Sequence, residues 1–545
     1  MAKIVSTKRI AMVRQRALKI AVALMVSIGP VTTLDAQPIT VNDGKIEGRR
    51  IAGGVHAYLG IPFAAPPVRD LRWRAPTPAE PWEGILHADR APPQCMQPQR
   101  GILTNQYSGA EITSEDCLYL NVWAKPGLKE APVIVYLHGG GFFVGSGSMP
   151  LYRGEHLAEK DVVVVNPNYR LGPLGLLAHP QLTEESPHNS SGDYGFLDQI
   201  AALRWVQENI AAFGGDPSNV TIVGQSAGSM SVLVLQASPL AAGLFDKAVG
   251  MSGALIGGAG PAKLMTLDEA EEEGLALQAV WGAQSLEDLR ALPADRLVAP
   301  RSPGSPRLGP IEDGYVLPEA IDQIFARSEQ NDVPLIVGFT KDEAFGGFGP
   351  VSGLEEYRKR ARDLFGDKAP QFLELYPASS DEQAMAQARA ASRDATMVSS
   401  MDLWARAQTE TGNAPVYSYM FARPHSYAKG ATIPDIDQDT AGAYHTSGVP
   451  FWLGTLESFN RFRTMREWTA DDVAVSNSMM DLLVAFAKTG RPDSGKMSLP
   501  KFDAKEPELL EIGQDMKMAP WPEERKLNFF RNIAKQSVLA STGQD

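Results

Sequence analysis

The chain is poor in cysteine. Cys95 and Cys117 are the only two among 545 residues, so a four-cysteine zinc site is excluded. Histidine is also scarce, with eight copies. None stands in an HExxH pattern, which removes the usual metalloprotease signature. Beyond the N-terminal segment there is no run of 18 apolar residues, so no membrane span is expected in the mature chain. Internal repeats and long low-complexity stretches are missing too, which rules out solenoid architectures. Positive charge is in deficit: 51 Lys and Arg against 64 Asp and Glu give a net charge of −13. That balance argues against a nucleic-acid partner, because phosphate binding needs a basic face. What remains is an ordinary globular composition, 44% apolar and 21% charged. The length would suit several domains, but α/β enzymes reach this size as one unit, and residues 37–545 are expected to form a single domain.

Residues 1–36 read as a secretory signal. Lys3, Lys8, Arg9, Arg14, Arg16 and Lys19 precede the short apolar run Ile20 to Ile28, and small Ala36 lies just before Gln37. The run is well short of a spanning helix. No cysteine lies near the cut, which argues against a lipid anchor, so the expectation is a bacterial exported protein, periplasmic or secreted. An oxidising compartment favours a disulfide between Cys95 and Cys117. Closing a loop of about 22 residues contributes about 3 kcal/mol in the chain-entropy model.

The pattern of apolar runs indicates an α/β protein. Ile134 to Leu137, Asp161 to Val165, Val220 to Val223, Lys247 to Met251, Val333 to Phe339 and Val416 to Met420 read as strands, several apolar on both faces. Phe196, Ile200, Leu203, Val206 and Ile210 recur at helical spacing, with Gly214 and Gly215 as a stop. Met230 to Gln236 and Met479 to Lys488 are further helices. Strands alternating with helices imply a mostly parallel sheet covered on both faces. Ala299 to Pro310, with four prolines, reads as a surface loop.

Two motifs carry chemistry. Gly224-Gln225-Ser226-Ala227-Gly228 is a G-x-S-x-G between a strand run and a helix-forming run. That is the setting of a nucleophile elbow, where a tight turn exposes the serine hydroxyl at a helix N-terminus. Upstream, His138-Gly139-Gly140-Gly141-Phe142 directly follows a strand run. Its bare amides, with that of Ala227, suit an oxyanion hole. A serine nucleophile needs a base, and in this order of elements the acid and then the histidine follow the serine. Only His425 and His445 lie downstream of Ser226. His445, between glycines, is preferred over His425, which stands in a polar loop. Asp342 and Glu343 follow the strand run ending at Phe339-Thr340, and spacing alone does not separate them.

These residues resemble the type-B carboxylesterase family, the relatives of cholinesterases and bacterial para-nitrobenzyl esterases, from about residue 38 to 540. Glu115-Asp116-Cys117-Leu118-Tyr119-Leu120-Asn121-Val122 is similar to the family's cysteine signature. Phe213-Gly214-Gly215-Asp216-Pro217 with Val220-Thr221 and Gly224 to Gly228 is similar to its serine signature. The resemblance implies an α/β-hydrolase fold and a Ser226, Glu343, His445 triad, with oxyanion donors at Gly140, Gly141 and Ala227. It also implies a Cys95–Cys117 disulfide and an Arg72–Glu115 salt bridge. The implied activity is hydrolysis of a small-molecule ester through an acyl-enzyme, without metal or organic cofactor. The chain departs from the family at Gly448, where a glutamate is frequent, and in lacking a Trp between Cys95 and Cys117, which argues against a choline ester. Substrate-pocket walls are expected from Gly101 to Thr113, Leu255 to Gly274 and Gly346 to Leu354. The same triad would serve amides, carbamates or carbonates. A non-catalytic adhesion module of the same fold is the remote alternative. Nothing in the sequence fixes the oligomeric state.

Overall fold

The computed structural model describes residues 37–105, 110–257, 264–299, 304–344 and 346–542. The signal segment expected at 1–36 lies outside them, as do residues 300–303 of the proline-rich loop. Residues 304–310 of that loop carry no helix or strand.

An eleven-stranded sheet forms the centre. Its strands, in chain order, are β1 (Arg49–Arg50), β2 (His56–Pro62), β3 (Tyr119–Ala124), β4 (Ala131–Leu137), β5 (Val163–Pro167), β6 (Gly215–Gln225), β7 (Lys247–Met251), β8 (Leu335–Thr340), β9 (Val416–Phe421), β10 (Glu508–Ile512) and β11 (Met516–Pro520). Their spatial order is β11-β10-β9-β8-β7-β6-β4-β5-β3-β2-β1. From β5 through β10 every neighbouring pair is parallel. β1, β2, β3 and β11 pair antiparallel at the two margins.

The continuous apolar runs have a direct cause. Every residue of β4 is buried. Val133, Val135 and Leu137 enter one core while Ile134 and Tyr136 enter the other, as the two-residue period of a strand requires. The first core is covered by α1 (Tyr194–Asn209) and α2 (Ala227–Ala237), through Phe196, Ile200, Leu203 and Val206 and through Val232 to Leu235. The second is covered by α4 (Ala470–Thr489), through Met479, Leu482, Leu483 and Phe486. A further helix, α3 (Ser399–Thr411), packs Met401, Trp404 and Ala405 into the first core. Helices thus flank both faces.

The six expected strand runs all fall within or overlap strands β4 to β9. Asp161 is the exception in detail. It takes φ +61° in a turn, and its strand starts at Val163. Gly214 ends the stretch after α1 with φ +83°, a left-handed conformation that glycine adopts without steric cost.

Parallel β4, β6 and β8 deliver three chain segments to one edge of the sheet. β4 ends at Leu137, just before the glycine run. β6 ends at Gln225, just before Ser226. β8 ends at Thr340, three residues before Glu343. Carboxyl ends of parallel strands are where ligand chemistry gathers in open α/β sheets.

Candidate active site

Ser226 is a non-glycine residue with φ +58° and ψ −124°. A conformation this sparsely populated persists only where the surroundings impose it. Here Ser226 N–H donates to the Met251 carbonyl at 2.8 Å on one side, and its own carbonyl accepts from Met230 N–H at 3.0 Å on the other. The flanking glycines have a steric cause. A Cβ on Gly224 would lie 2.1 Å from the Gly228 carbonyl oxygen, and one on Gly228 would lie 2.0 Å from that of Leu137. Any larger residue at either position pushes the elbow off β4 and β6.

The glycine run packs directly against this turn. A Cβ on Gly139 would lie 3.2 Å from Cβ of Ser226. Gly140 and Gly141 take φ +118° and +63°. Among the described residues neither of their amides donates to a protein acceptor. Ala227 opens α2, where the first amides have no partner within the helix. His138 anchors the start of the run. Its ring stacks on Tyr169 with centroids 4.3 Å apart, and the Tyr169 hydroxyl donates to the His138 carbonyl at 2.6 Å. Burial pushes the His138 imidazole down to about 4, against a smaller opposing effect of its bond to the Gly139 carbonyl. The ring is therefore neutral at ordinary pH.

A clamp that sequence spacing does not reveal holds the far end. Gln97 Nε2 donates to the Gly145 carbonyl at 2.8 Å and to the Cys95 carbonyl at 3.0 Å. Gly145 N–H donates back to Gln97 Oε1 at 2.8 Å. Cys95 and Cys117 are joined in a disulfide, so the glycine loop is tied to that covalent link. Arg72 grips Glu115 in two parallel bonds of 2.7 and 2.6 Å and donates to the carbonyls of Leu289, Arg290 and Leu292.

Glu343 and His445 meet. His445 Nδ1 is 2.7 Å from Glu343 Oε2, and Glu343 is 1% exposed. Its other oxygen accepts the Thr340 amide at 2.9 Å. Asp342 takes another task. Its carboxylate accepts the Ala443 amide at 2.8 Å, and its backbone N–H donates to the Ala443 carbonyl at 3.0 Å. One carboxylate faces the imidazole, and its neighbour fastens the loop that carries it. On the other side of the ring, His445 Nε2 lies 3.1 Å from Gln225 Nε2, which puts it beside the residue immediately before Ser226.

His425 stands behind this loop. Its Nε2 donates to the Ser447 carbonyl at 2.8 Å, and its Nδ1 accepts from the Tyr444 hydroxyl at 3.0 Å and from Arg466 Nε at 3.1 Å. Burial, and then the Arg466 charge, push His425 down to about 3. A neutral ring with both nitrogens bonded to the segments around positions 444 and 447 braces the His445 loop. At Gly448 a Cβ would lie 3.2 Å from the Phe421 ring, a tight contact that a larger residue would relieve by a small shift of that ring.

A cavity of about 530 Å³ lies along α2, with the charged Asp322, Arg406, Glu410 and Arg531 among its lining residues and none of Ser226, Glu343 and His445. Met230, one turn along α2 from Ser226, lines it with Ala254, Ile256, Phe325 and Leu403. Gly253 next to it lies against Ser226, since a Cβ there would be 2.5 Å from the Ser226 carbonyl oxygen. Ile256 and Gly257, from the expected segment that starts at Leu255, line this cavity, whereas residues 106–109 and 258–263 of the expected segments lie outside the described residues. Among the described residues no group of three or more His, Cys, Asp or Glu is arranged to hold a metal ion. None of the described helices is long and apolar enough to cross a membrane.

A large, mainly parallel sheet with helices on both faces, and a strained serine at the end of a central strand, define an α/β-hydrolase fold. Solved para-nitrobenzyl esterase structures share it: one superposes with a TM-score of 0.74 at 33% identity, over 90% of this chain and 99% of that one. Residues 35–530 match the model of the carboxylesterase family, and the chain belongs to that family. It is 38% identical over 486 residues to fumonisin B1 esterase of Sphingopyxis macrogoltabida, covering 87% of this chain and 86% of that protein. It is 34% identical over 534 residues to para-nitrobenzyl esterase of Bacillus subtilis, covering 93% and 99%.

Proposed function

We propose that this carboxylesterase works through an acyl-enzyme with Ser226 as nucleophile, His445 as general base and acid, and Glu343 as the group that orients the imidazole. The 2.7 Å contact between His445 and Glu343, with the opposite ring nitrogen beside the serine elbow, carries this reading. The carboxylate fixes the proton on Nδ1 and leaves Nε2 to take the serine proton. Ser226 Oγ attacks the ester carbonyl, and the charge that develops on its oxygen is met by the amides of Gly140, Gly141 and Ala227. One such donor is worth about 10²–10³ in rate. His445 then protonates the departing alcohol, and water activated by the same ring releases the acid.

The substrate class is a small-molecule ester with an apolar portion that reaches the Met230 and Leu403 cavity. The relative named fumonisin B1 esterase supports a bulky ester. Export to an oxidising compartment, with residues 1–36 removed and 37–545 retained as one domain, is part of the same proposal, and the Cys95–Cys117 disulfide supports it.

The test is a panel of esters varied separately on acyl and alcohol sides, with matched amides and carbamates, given to wild type and Ser226→Ala. Ester turnover that vanishes in the variant while the fold is retained supports the assignment. A variant that keeps wild-type turnover removes Ser226 as nucleophile. An N-terminal sequence of the secreted protein that starts at Gln37 supports export, and an intact Met1 on cell-associated protein refutes it.

A further inference from the structure

The residue after His445 is strained. Thr446 is β-branched and takes φ +74°, a left-handed conformation that is an outlier for such a side chain. It persists only where the surroundings impose it. The turn that presents His445 therefore needs a brace. Within the turn, Ser447 N–H donates to the Tyr444 carbonyl at 3.0 Å. Outside it, Tyr444 and Ser447 are held by contacts that lead through His425 to one buried side chain, Arg466.

Arg466 is 1% exposed, and burying a charge is costly unless it is paired. Its side chain bonds only to neutral acceptors. Nε donates to His425 Nδ1 at 3.1 Å, and Nη2 to Asn105 Oδ1 at 2.5 Å and to the Tyr444 hydroxyl oxygen at 3.4 Å. Nη1 donates to the Met465 carbonyl at 3.3 Å. Among the described residues no carboxylate pairs with it. Asp472, at the start of α4, is taken by Arg423 at 2.6 Å. Two ring faces meet the charge instead, with the centroids of Tyr427 and Phe459 at 4.2 and 4.9 Å from the guanidinium carbon.

The backbone aims this guanidinium. Residues 465–467 run against 426–428. Ala428 N–H donates to the Met465 carbonyl at 3.1 Å and Glu467 N–H to the Ser426 carbonyl at 3.0 Å, with Tyr427 opposite Arg466. Asn460 Oδ1 accepts the Arg466 amide at 2.9 Å. An arginine has donors only, so His425 Nδ1 must accept. The ring proton then stands on Nε2, where it holds the Ser447 carbonyl at 2.8 Å. The Tyr444 hydroxyl sits among His425 Nδ1, the guanidinium and Asn105 Oδ1, at 3.0, 3.4 and 3.4 Å. Tyr444 and Ser447 enclose His445 and the strained Thr446, so both ends of the turn depend on one cation.

We propose that Arg466 is a positioning residue for the general base: by fixing the His425 tautomer and the Tyr444 hydroxyl, it holds the left-handed turn at Thr446 and keeps His445 against Glu343. The proposal rests on the reading of His445 as the base. Arg466 acts only through the turn and meets none of the reacting atoms.

The test measures kcat and KM on an aryl ester for the purified full chain and four variants, each checked for folding by circular dichroism. Arg466→Met is expected to lose about tenfold or more in kcat with KM nearly unchanged, since a slightly misplaced reacting group is slow even when substrate binds normally. Adding Thr446→Gly to Arg466→Met lets the turn keep its φ without strain, and is expected to restore kcat by about threefold. A general weakening of the fold would not be repaired that way. Unchanged kcat in Arg466→Met, or a double variant no faster than the single one, overturns the proposal. Should Arg466→Met fail to fold, Tyr444→Phe takes its place. A kcat about fivefold lower at constant KM is expected there, and undiminished kcat counts against the brace. His445→Ala separates this proposal from the reading it rests on. Wild-type turnover by His445→Ala would overturn the base assignment itself, whereas an inactive His445→Ala beside a fully active Arg466→Met removes only the positioning role.

Discussion

Gln225 Nε2 lies 3.1 Å from His445 Nε2, the ring nitrogen that faces the serine elbow. An amide N–H pointed at that nitrogen competes with the Ser226 hydroxyl for its lone pair. Gln225→Glu replaces a donor with an anion, which favours the protonated ring. The acid limb of the kcat/KM profile is expected to move to higher pH by about one unit, since a carboxylate that close shifts a partner by about 1–3 units. A profile superimposable on wild type would show that Gln225 does not act on the base.

Glu343→Gln keeps the shape behind the imidazole and removes the charge. The expected loss is about 10²–10⁴ in kcat with little change in KM, as for a histidine left in the wrong tautomer. Asp342→Asn, which disturbs only the bond to the Ala443 amide, is expected to lose less than about tenfold. Single-turnover kinetics on an aryl ester compare the two. Equal losses would contradict the division of labour between the neighbouring carboxylates.

Much of this was legible in the residues, and the gaps have physical causes. β4 to β8 announce themselves because both of their faces are buried, which leaves an unbroken apolar run. β2 and β3 do not: Gly60 and Pro62 interrupt one, and Asn121 stands inside the other. The serine elbow and the glycine run are local, so spacing reveals them. The choice between Asp342 and Glu343 is not local, because adjacent side chains at a strand end diverge and only the fold decides which one meets position 445. His425 looked like a rival base and instead braces the loop, a role set by Tyr444, Ser447 and Arg466. Gln97 left no sequence signal, since its partner lies 48 residues away.

Acid should weaken the fold through two buried rings. His138 and His425 are held at about 4 and about 3 when folded, against about 6.5 in an unfolded chain. Between pH 6.5 and those values the unfolded state takes up protons that the folded state refuses. Their contribution to stability is full above pH 6.5 and declines as pH falls, by up to roughly 1.4 kcal/mol per pH unit for each ring. Asp193, a carboxyl pushed upward by burial, acts in the opposite sense, so the comparison must isolate one group. Denaturant titrations at pH 7.5, 5.5 and 4.5 should show a shallower decline in His425→Gln than in wild type. Parallel slopes would refute the assignment.

Removing the disulfide by a Cys95→Ser, Cys117→Ser double substitution should cost about 3 kcal/mol through the unfolded chain. It should also lower kcat, because Gln97 bonds to both the Cys95 carbonyl and the glycine loop at Gly145. Denaturant midpoints and kcat measured on the same preparations test both parts. A less stable variant with unaltered kcat would uncouple the two.

Gln97, two residues from one sulfur of the disulfide, is the link through which the redox state of Cys95 and Cys117 would reach the glycine loop. A chain with both thiols reduced would hold its glycine-loop amides less firmly, so ester turnover by the same preparation should fall on reduction and return on reoxidation.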